Sequence, residues 1–303
     1  MVLKNYLKNP VKYAVRSLSN HQMLNWIPDK MYLKLKYRAA LGKKLDLKNP
    51  KTFNEKMQWL KLYDRKPEYT MMVDKYRVRE YIAKTIGEEY LIPLLGVWED
   101  PEDIDFDALP DQFVLKPNHA SGNVVICRDK RNLCQKETRK LTKNWLKREY
   151  YWSSREWPYK NIKPKIIAEE LIADQIVDYK FYCFNGEPKC LYLSKGLEDH
   201  ATASISFFDL ELKRLPFYRS DFRPFTDEPE KPENFAQMIE IARKLSEGIA
   251  FVRVDLYSVA GKIYFSELTF YPCSGYMPFE PEEWDYKLGE WIELPKINKA
   301  IFQ

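Results

Sequence analysis

Phe251-Val-Arg-Val-Asp-Leu-Tyr-Ser-Val-Ala-Gly-Lys-Ile-Tyr-Phe-Ser-Glu-Leu-Thr269 decides how this chain is read. It divides into two adjacent strands around the turn Val259-Ala-Gly261-Lys262. Side chains alternate faces along a strand. Arg253 and Asp255 therefore share one face of the first strand, and Glu267 and Thr269 share one face of the second. Ala250, Val252, Val254 and Leu256 take the first strand's other face. A cation, two carboxylates and a hydroxyl can then converge on one surface. Two carboxylates suit a hard divalent cation such as Mg²⁺, which takes oxygen ligands and usually phosphate oxygens as well. The arginine suits a phosphate or carboxylate beside such a metal. A cross-strand salt bridge on a solvated sheet face uses the same residue types, so the stretch alone leaves both readings open.

Outside this stretch, composition sets bounds. A chain of 303 residues, 45% hydrophobic and 31% charged, reads as a soluble globular protein with one large or two modest domains. It has no apolar run of the ~18 residues needed to span a membrane. Nor does it open with a signal-type core and cleavage site, so a cytoplasmic location is expected. A net charge of +5 with dispersed acids does not demand nucleic acid as a partner, and none is expected. Met1 to Arg16 interleaves Lys4, Lys8, Lys12 and Arg16 with Leu3, Tyr6, Leu7, Tyr13 and Val15, interrupted by Pro10. A packed N-terminal helix fits this segment, and so does weak peripheral contact with the inner, anionic face of a membrane. The five cysteines are odd in number and lack a C-x-x-C, and zinc pairs normally sit closer together. Buried, reduced thiols are expected.

The pattern predicts helices first. Thr52-Phe-Asn-Glu55 is a capping box ahead of Met57, Trp59 and Leu60. Asp74 begins a second helix, with Val78, Ile82 and Ile86 on one face and Gly87 past its end. Leu91 to Val97 reads as a short strand, and Pro101 to Pro110 as an acidic loop. Phe113 to Pro117 and Val124 to Cys127 read as strands around the loop 118–123. A helix carrying Leu141, Trp145 and Tyr150 follows, then a strand from Lys165. Asn185-Gly186 marks a tight hairpin between Asp178–Phe184 and Pro188–Ser194. Ser204 to Asp209 is a strand. Asn234 to Glu247 is a helix with Phe235, Met238, Ile239, Ala242 and Leu245 inward, and a short C-terminal helix follows Pro278. The mixture is α+β with mostly antiparallel sheet.

Several clusters carry chemistry. Lys116 on a strand faces the small-residue loop Asn118-His119-Ala-Ser121-Gly122-Asn123, and an ammonium with loop amides can cradle phosphates. An ordinary hairpin explains it equally, and His119 can bind phosphate or order the loop. Lys75 opposes the dipole at a helix start, which favours a purpose beyond solvation. Glu169 and Glu170 end a strand ahead of Asp178 and Lys180. That hinge can offer backbone groups to a purine and a carboxylate to ribose hydroxyls, or it is a solvated acidic pair.

Read in order, "TFNEKMQWLKLYDR", "DKYRVREYI", "FVLKPNHASG", "AEELI", "DYKFYCFNG", "FVRVDLY" and "YFSELTFYPCSG" span residues 52 to about 275. Together they resemble the TupA-like branch of the ATP-grasp superfamily, found in bacterial polysaccharide and teichuronopeptide gene clusters. The resemblance implies an ATP-grasp fold in which two α+β lobes sandwich ATP. It suggests a helical N-terminal region over 1–72, a core segment over 73–112, a lid over 113–172 and a C-terminal core over 173–303. By that likeness Lys75 and Lys116 bind ATP phosphates, and Ser121, Gly122 and Asn123 lie in the phosphate-covering loop with His119 beside them. Glu169, Glu170 and Leu171 form the adenine hinge, and Asp178 meets the ribose with Lys180 near the nucleotide. Asp255 and Glu267 hold Mg²⁺, and Arg253, with Lys116, serves the transferred phosphate. Thr269 stands where the superfamily usually has asparagine, so Asp255 and Glu267 are the firmer ligands.

The activity implied is a carboxylate–amine ligase acting through an acyl phosphate on a uronic-acid-containing surface polysaccharide or its precursor. Alternatives are an ATP-grasp kinase, a degenerate nucleotide-binding module and a glycosyltransferase. The last would use Asp103-Ile-Asp105-Phe-Asp107, which lacks a preceding apolar strand.

Overall fold

The computed structural model describes residues 10–195 and 203–296. The chain opens with helices α1 (Pro10–Asn20), α2 (Asp29–Leu41), α3 (Phe53–Tyr63), α4 (Glu68–Val73) and α5 (Val78–Thr85). The first nine residues of the basic N-terminal segment lie outside the described residues. The capping box at α3 is present: the Thr52 hydroxyl accepts from the Glu55 amide at 3.1 Å, and Glu55 accepts from the Thr52 amide at 3.1 Å. Lys75 sits in the turn between α4 and α5. There the Asp74 carboxylate accepts the Tyr76 and Arg77 amides, satisfying donors that a helix start leaves open.

A four-stranded sheet then forms from β1 (Leu94–Trp98), β2 (Phe113–Pro117), β3 (Val125–Cys127) and β4 (Ile166–Glu170), in the order β1-β4-β2-β3. Between β3 and β4 run α6 (Gln135–Leu146) and α7 (Tyr150–Ser154). The helix expected through Tyr150 thus stops at Leu146. Trp145 is buried with Thr138 and Thr142, whereas Leu141 is exposed, because the face turned to the sheet is lined by the two threonines. The acidic loop contributes Ile104, Phe106 and Leu109 to this lobe's own core, with Phe113, Leu115, Cys127, Trp145, Ile166 and Ala168.

The second sheet contains β5 (Asp178–Phe184), β6 (Glu187–Lys195), β7 (Ser204–Phe208), β9 (Phe251–Val259) and β10 (Lys262–Thr269), ordered β10-β9-β5-β6-β7. A two-stranded ribbon pairs β8 (Tyr218–Arg219) with β11 (Phe279–Glu280). Its paired strands all run antiparallel, as do those of the first sheet. Asn185 and Gly186 turn the β5–β6 hairpin with φ of 52° and 87°, the left-handed pair that such a turn requires. Helix α8 (Phe235–Ser246) covers the sheet with Phe235, Met238, Ala242 and Leu245. Ile239 is only half-buried, and Ile241 is inside. Helix α9 (Glu283–Glu290) is the last helix among the described residues and packs on α3.

The N-terminal helices belong to this second core. Phe53 is wholly buried among Tyr182, Phe184, Phe251 and Phe279. Asn54 exchanges hydrogen bonds with the Met277 backbone at 2.8 and 2.9 Å, and its amide donates to Asp285 at 2.9 Å. The thiols are all free. Cys127, Cys183 and Cys190 are buried as expected, but Cys134, just before α6, and Cys273, in the turn after β10, are exposed.

Candidate active site

The larger sheet builds one wall of the site. Its register sets Tyr192, Lys180, Asp255 and Glu267 in one row across β6, β5, β9 and β10, and sets Thr269 opposite Arg253. Cross-strand partners point to the same face. This row depends on a bulge. Leu256 pairs with Phe265, but Asp255 pairs with Glu267, so Ser266 is the extra residue. Ile263, Phe265 and Leu268 are the buried positions of β10, and the alternation changes phase at the bulge. Without it, Glu267 would turn into the core.

The side chains form one ionic cluster. Arg253 donates to both Asp255 oxygens at 2.6 Å, to Glu267 at 3.1 Å, to the Thr269 hydroxyl at 3.0 Å and to the Tyr192 hydroxyl at 3.2 Å. Lys180 pairs with Asp255 at 2.6 Å and with Asp178. Lys75 reaches Glu267 at 3.4 Å and donates to the Ala120 carbonyl at 2.9 Å, joining this wall to the loop of the smaller lobe. Three carboxylates (Asp178, Asp255, Glu267) thus face three cations (Lys75, Lys180, Arg253). Burial alone would raise the Glu267 carboxyl, but Lys75, Arg253, Lys180 and the Thr269 hydroxyl outweigh it and hold it at about 2. Asp178 is pushed up to about 6, chiefly by burial; Lys180 opposes the rise and the Asp255 charge adds to it.

The smaller lobe carries a second set of charges. Lys116 pairs with buried Glu169 at 2.5 Å, and Arg79 reaches the other Glu169 oxygen at 3.4 Å. Beyond β4, the Glu170 side chain is exposed and Leu171 is half-buried. Both border a surface hollow of about 610 Å³ with Arg128 and Asp129. Ser121 and Gly122 are exposed at the tip of the 118–123 loop, with Asn123 half-exposed. Gly122 has φ 77° and open space where a Cβ would stand, so its backbone is both left-handed and accessible. His119 stands apart. It is buried, with its ring nitrogens 3.2 Å from the Asn118 side-chain oxygen and 3.1 Å from the Arg148 carbonyl, which is the loop-ordering arrangement. Asn118 fixes the same loop by donating to Asp74 at 2.9 Å and accepting from the Lys165 amide at 2.7 Å.

Some residues went unread in the sequence. Arg79 lies four positions after Lys75, and that spacing is the only signal for it. Tyr192 holds Arg253 from a strand whose register the sequence does not show. Below Glu267, the Ser274 hydroxyl donates to buried Glu156 at 2.6 Å. Buried Lys61 donates to Gln58, Ser154 and Ser274 oxygens at 3.1, 3.0 and 2.7 Å, and burial draws its ammonium down to about 7. Asp105, in the D-x-D loop, accepts the Asp107 and Ala108 amides at 3.0 and 3.2 Å. It caps a turn in the acidic loop.

Among the described residues, no three His, Cys, Asp or Glu side chains form a ready metal cage. The donor set still fits Mg²⁺, which needs only one or two carboxylates when phosphates complete its shell. Asp255 and Glu267 are cross-strand partners, and the buried Oδ1 of Asp178 has no hydrogen-bond partner.

Lysines on the smaller lobe and a carboxylate–arginine cluster on the larger sheet are an arrangement whose chemistry suits an anionic, phosphate-bearing ligand. The TupA-like ATPgrasp family model matches residues 55–293, and the chain belongs to that family. Its α+β architecture is the ATP-grasp fold. No curated protein matches the chain. Among solved structures, it is similar to D-alanine–D-alanine ligase from Bacillus anthracis, at 19% identity and TM-score 0.40 over 66% of this chain and 57% of that one. It is similar to the ATP-grasp ligase PsnB complexed with a phosphomimetic variant of its minimal precursor, Mg and ADP, at 13% identity and TM-score 0.41 over 82% and 64%. N5-carboxyaminoimidazole synthetase from Staphylococcus aureus shares 13% identity at TM-score 0.36 over 66% and 44%. The chain spans less than two thirds of the length of each of these three.

Proposed function

We propose that this protein is an ATP-dependent carboxylate–amine ligase. The observation that carries the reading is the ionic cluster. Each of its cations is held by a carboxylate that a metal can claim, so the cations are available to phosphate oxygens once the nucleotide enters. Mg²⁺, held by Asp255 and Glu267 with Asp178 beside them, would neutralise phosphate charge when bound. Lys75 and Lys116 would grip the phosphates from the two walls, with the amides of Ser121, Gly122 and Asn123 covering them. Glu169, Glu170 and Leu171 would receive the adenine, and Asp178 and Lys180 would sit near the ribose and its phosphates. Arg253 would steady the transferred phosphoryl group as a substrate carboxylate attacks it. An amine then attacks the resulting acyl phosphate, forming an amide and releasing phosphate. Positioning and charge neutralisation are what phosphoryl transfer asks of a protein. A lid over residues 113–172 would exclude water from the acyl phosphate.

A uronic acid is the proposed carboxylate, in a surface polysaccharide or its precursor. The test is an amine-by-uronate screen for ADP release, with product mass determined. Release that requires both substrates and yields an amide supports the ligase. A stable phosphorylated product with no use for the amine would replace it with a kinase.

A further inference from the structure

Large apolar side chains left bare on this protein crowd into one short stretch. Leu18, Met23, Trp26, Met31 and Leu35 are 37, 61, 81, 64 and 39% exposed. The rest of the described chain adds five more, spread from Tyr76 to Tyr286. Single exposed apolar residues need no explanation, but a cluster marks an interaction surface. The Trp26 indole donates to the Met23 carbonyl at 3.1 Å, which holds the ring against the turn between α1 and α2. That turn is not loose. Buried Arg155 donates to the Leu24 and Ile27 carbonyls at 3.1 and 3.2 Å and lies 4.2 Å from the Tyr32 ring.

Helix α2 extends the patch. Lys30, Met31, Lys34, Leu35 and Arg38 are all exposed, while Tyr32, Leu33, Tyr37 and Ala39 are buried. At 3.6 residues per turn, the five exposed positions fill one arc of roughly 140°, cations along one edge and apolar side chains along the other. The only acid between residues 18 and 38 is Asp29, and it is spent inward on Arg65 at 2.8 Å, Tyr151 at 2.7 Å and Arg155 at 3.3 Å. Within this stretch the face therefore presents cations with no carboxylate of its own.

We propose that this face seats the protein on an anionic lipid bilayer, with Trp26, Met31 and Leu35 in the interface and Lys30, Lys34 and Arg38 against the headgroups. Tryptophan favours that depth, and an amphipathic cationic helix lies in the interfacial plane. No helix among the described residues is long and apolar enough to cross a membrane. A second copy is the poorer occupant, because a two-fold contact sets the patch against itself and cation against cation.

The experiment is co-sedimentation of the full chain with vesicles of phosphatidylcholine alone and of phosphatidylcholine mixed with phosphatidylglycerol. Wild type should bind the mixed vesicles and not the neutral ones. Each surface cation contributes roughly fivefold, so Lys30→Glu/Lys34→Glu/Arg38→Glu should weaken binding by at least ~100-fold. Trp26→Ser/Met31→Ser should weaken it by about tenfold or more. Both variants should keep the wild-type thermal midpoint and ATP turnover. Quenching of Trp26 by brominated lipid, read as wild type minus Trp26→Phe, is an independent measure. The proposal is overturned if wild type ignores the mixed vesicles, binds neutral ones as well, or if both variants bind like wild type. A dimer in sedimentation that Trp26→Ser abolishes would also overturn it, giving the face to a second copy.

Discussion

Replacing Glu267 with glutamine removes one charge from the ionic cluster and keeps the side chain's shape. In the wild type, the two Glu267 oxygens lie 3.1 Å from Arg253 and 3.4 Å from Lys75. Those cations hold its carboxyl at about 2, against an ordinary value of 4.5. Glutamine stands in for the protonated acid, so the gap between the two values measures what the charge contributes to the ligand-free fold: about 3 kcal/mol. The sign is fixed by linkage. The folded state holds this proton more weakly than the unfolded chain does. The contribution is therefore complete above pH 4.5 and is lost as pH falls from there through about 2. In buffer free of metal and nucleotide, urea unfolding should show Glu267→Gln about 3 kcal/mol less stable than wild type at neutral pH. The gap should narrow steadily toward about pH 3. ATP turnover of the same variant should fall by about 10²–10³, the usual cost of removing a preorganised charge. Equal stability of the two proteins at neutral pH, or a gap that does not change with pH, would refute the charge argument even if turnover were lost.

Lys116→Met leaves Glu169 with Arg79 as its partner, so the protein should fold while ATP turnover drops by about 10²–10³ in a coupled ADP assay. Asp105→Asn/Asp107→Asn keeps a side-chain oxygen to accept the turn amides, so the same assay should read wild-type turnover; a large loss would reopen the glycosyltransferase reading. Gly289→Ala would bring a Cβ to 2.1 Å from the Lys51 carbonyl and 2.8 Å from the Phe53 amide, where α9 lies against the start of α3. Backbone cannot yield cheaply there. The variant should lose about 1–3 kcal/mol in urea unfolding with its ATP affinity nearly unchanged, because α9 lies away from the cluster.

Much of the architecture was legible because it is written locally. Thr52 and Glu55 cap a helix through contacts three residues apart, and Asn185-Gly186 makes its hairpin through two backbone angles. The site was legible only in halves. Alternation along β9 places Arg253 and Asp255 together, and alternation along the end of β10 places Glu267 and Thr269 together. Nothing in either pattern says that the two pairs share a face. A strict two-residue turn at Ala260-Gly261 would pair Asp255 with Ser266 and send Glu267 into the core. Ser266 is absorbed as a bulge, and that single extra residue brings the second carboxylate to the first. Ser266 has a stake in this arrangement: its hydroxyl donates to the Tyr257 hydroxyl at 2.8 Å, tying the bulged residue to the neighbouring strand. Deleting Ser266 would remove the bulge and leave a regular ladder with Glu267 still opposite Asp255 and Thr269 still opposite Arg253. Both this deletion and Ser266→Ala should therefore retain ATP turnover and a folded core; loss of turnover on deletion with the fold intact would show that the bulge itself, and not the register beyond it, sets the site. The arrangement of Asp255 and Glu267 is thus set by a one-residue slip in the ladder, which residue types alone could not reveal.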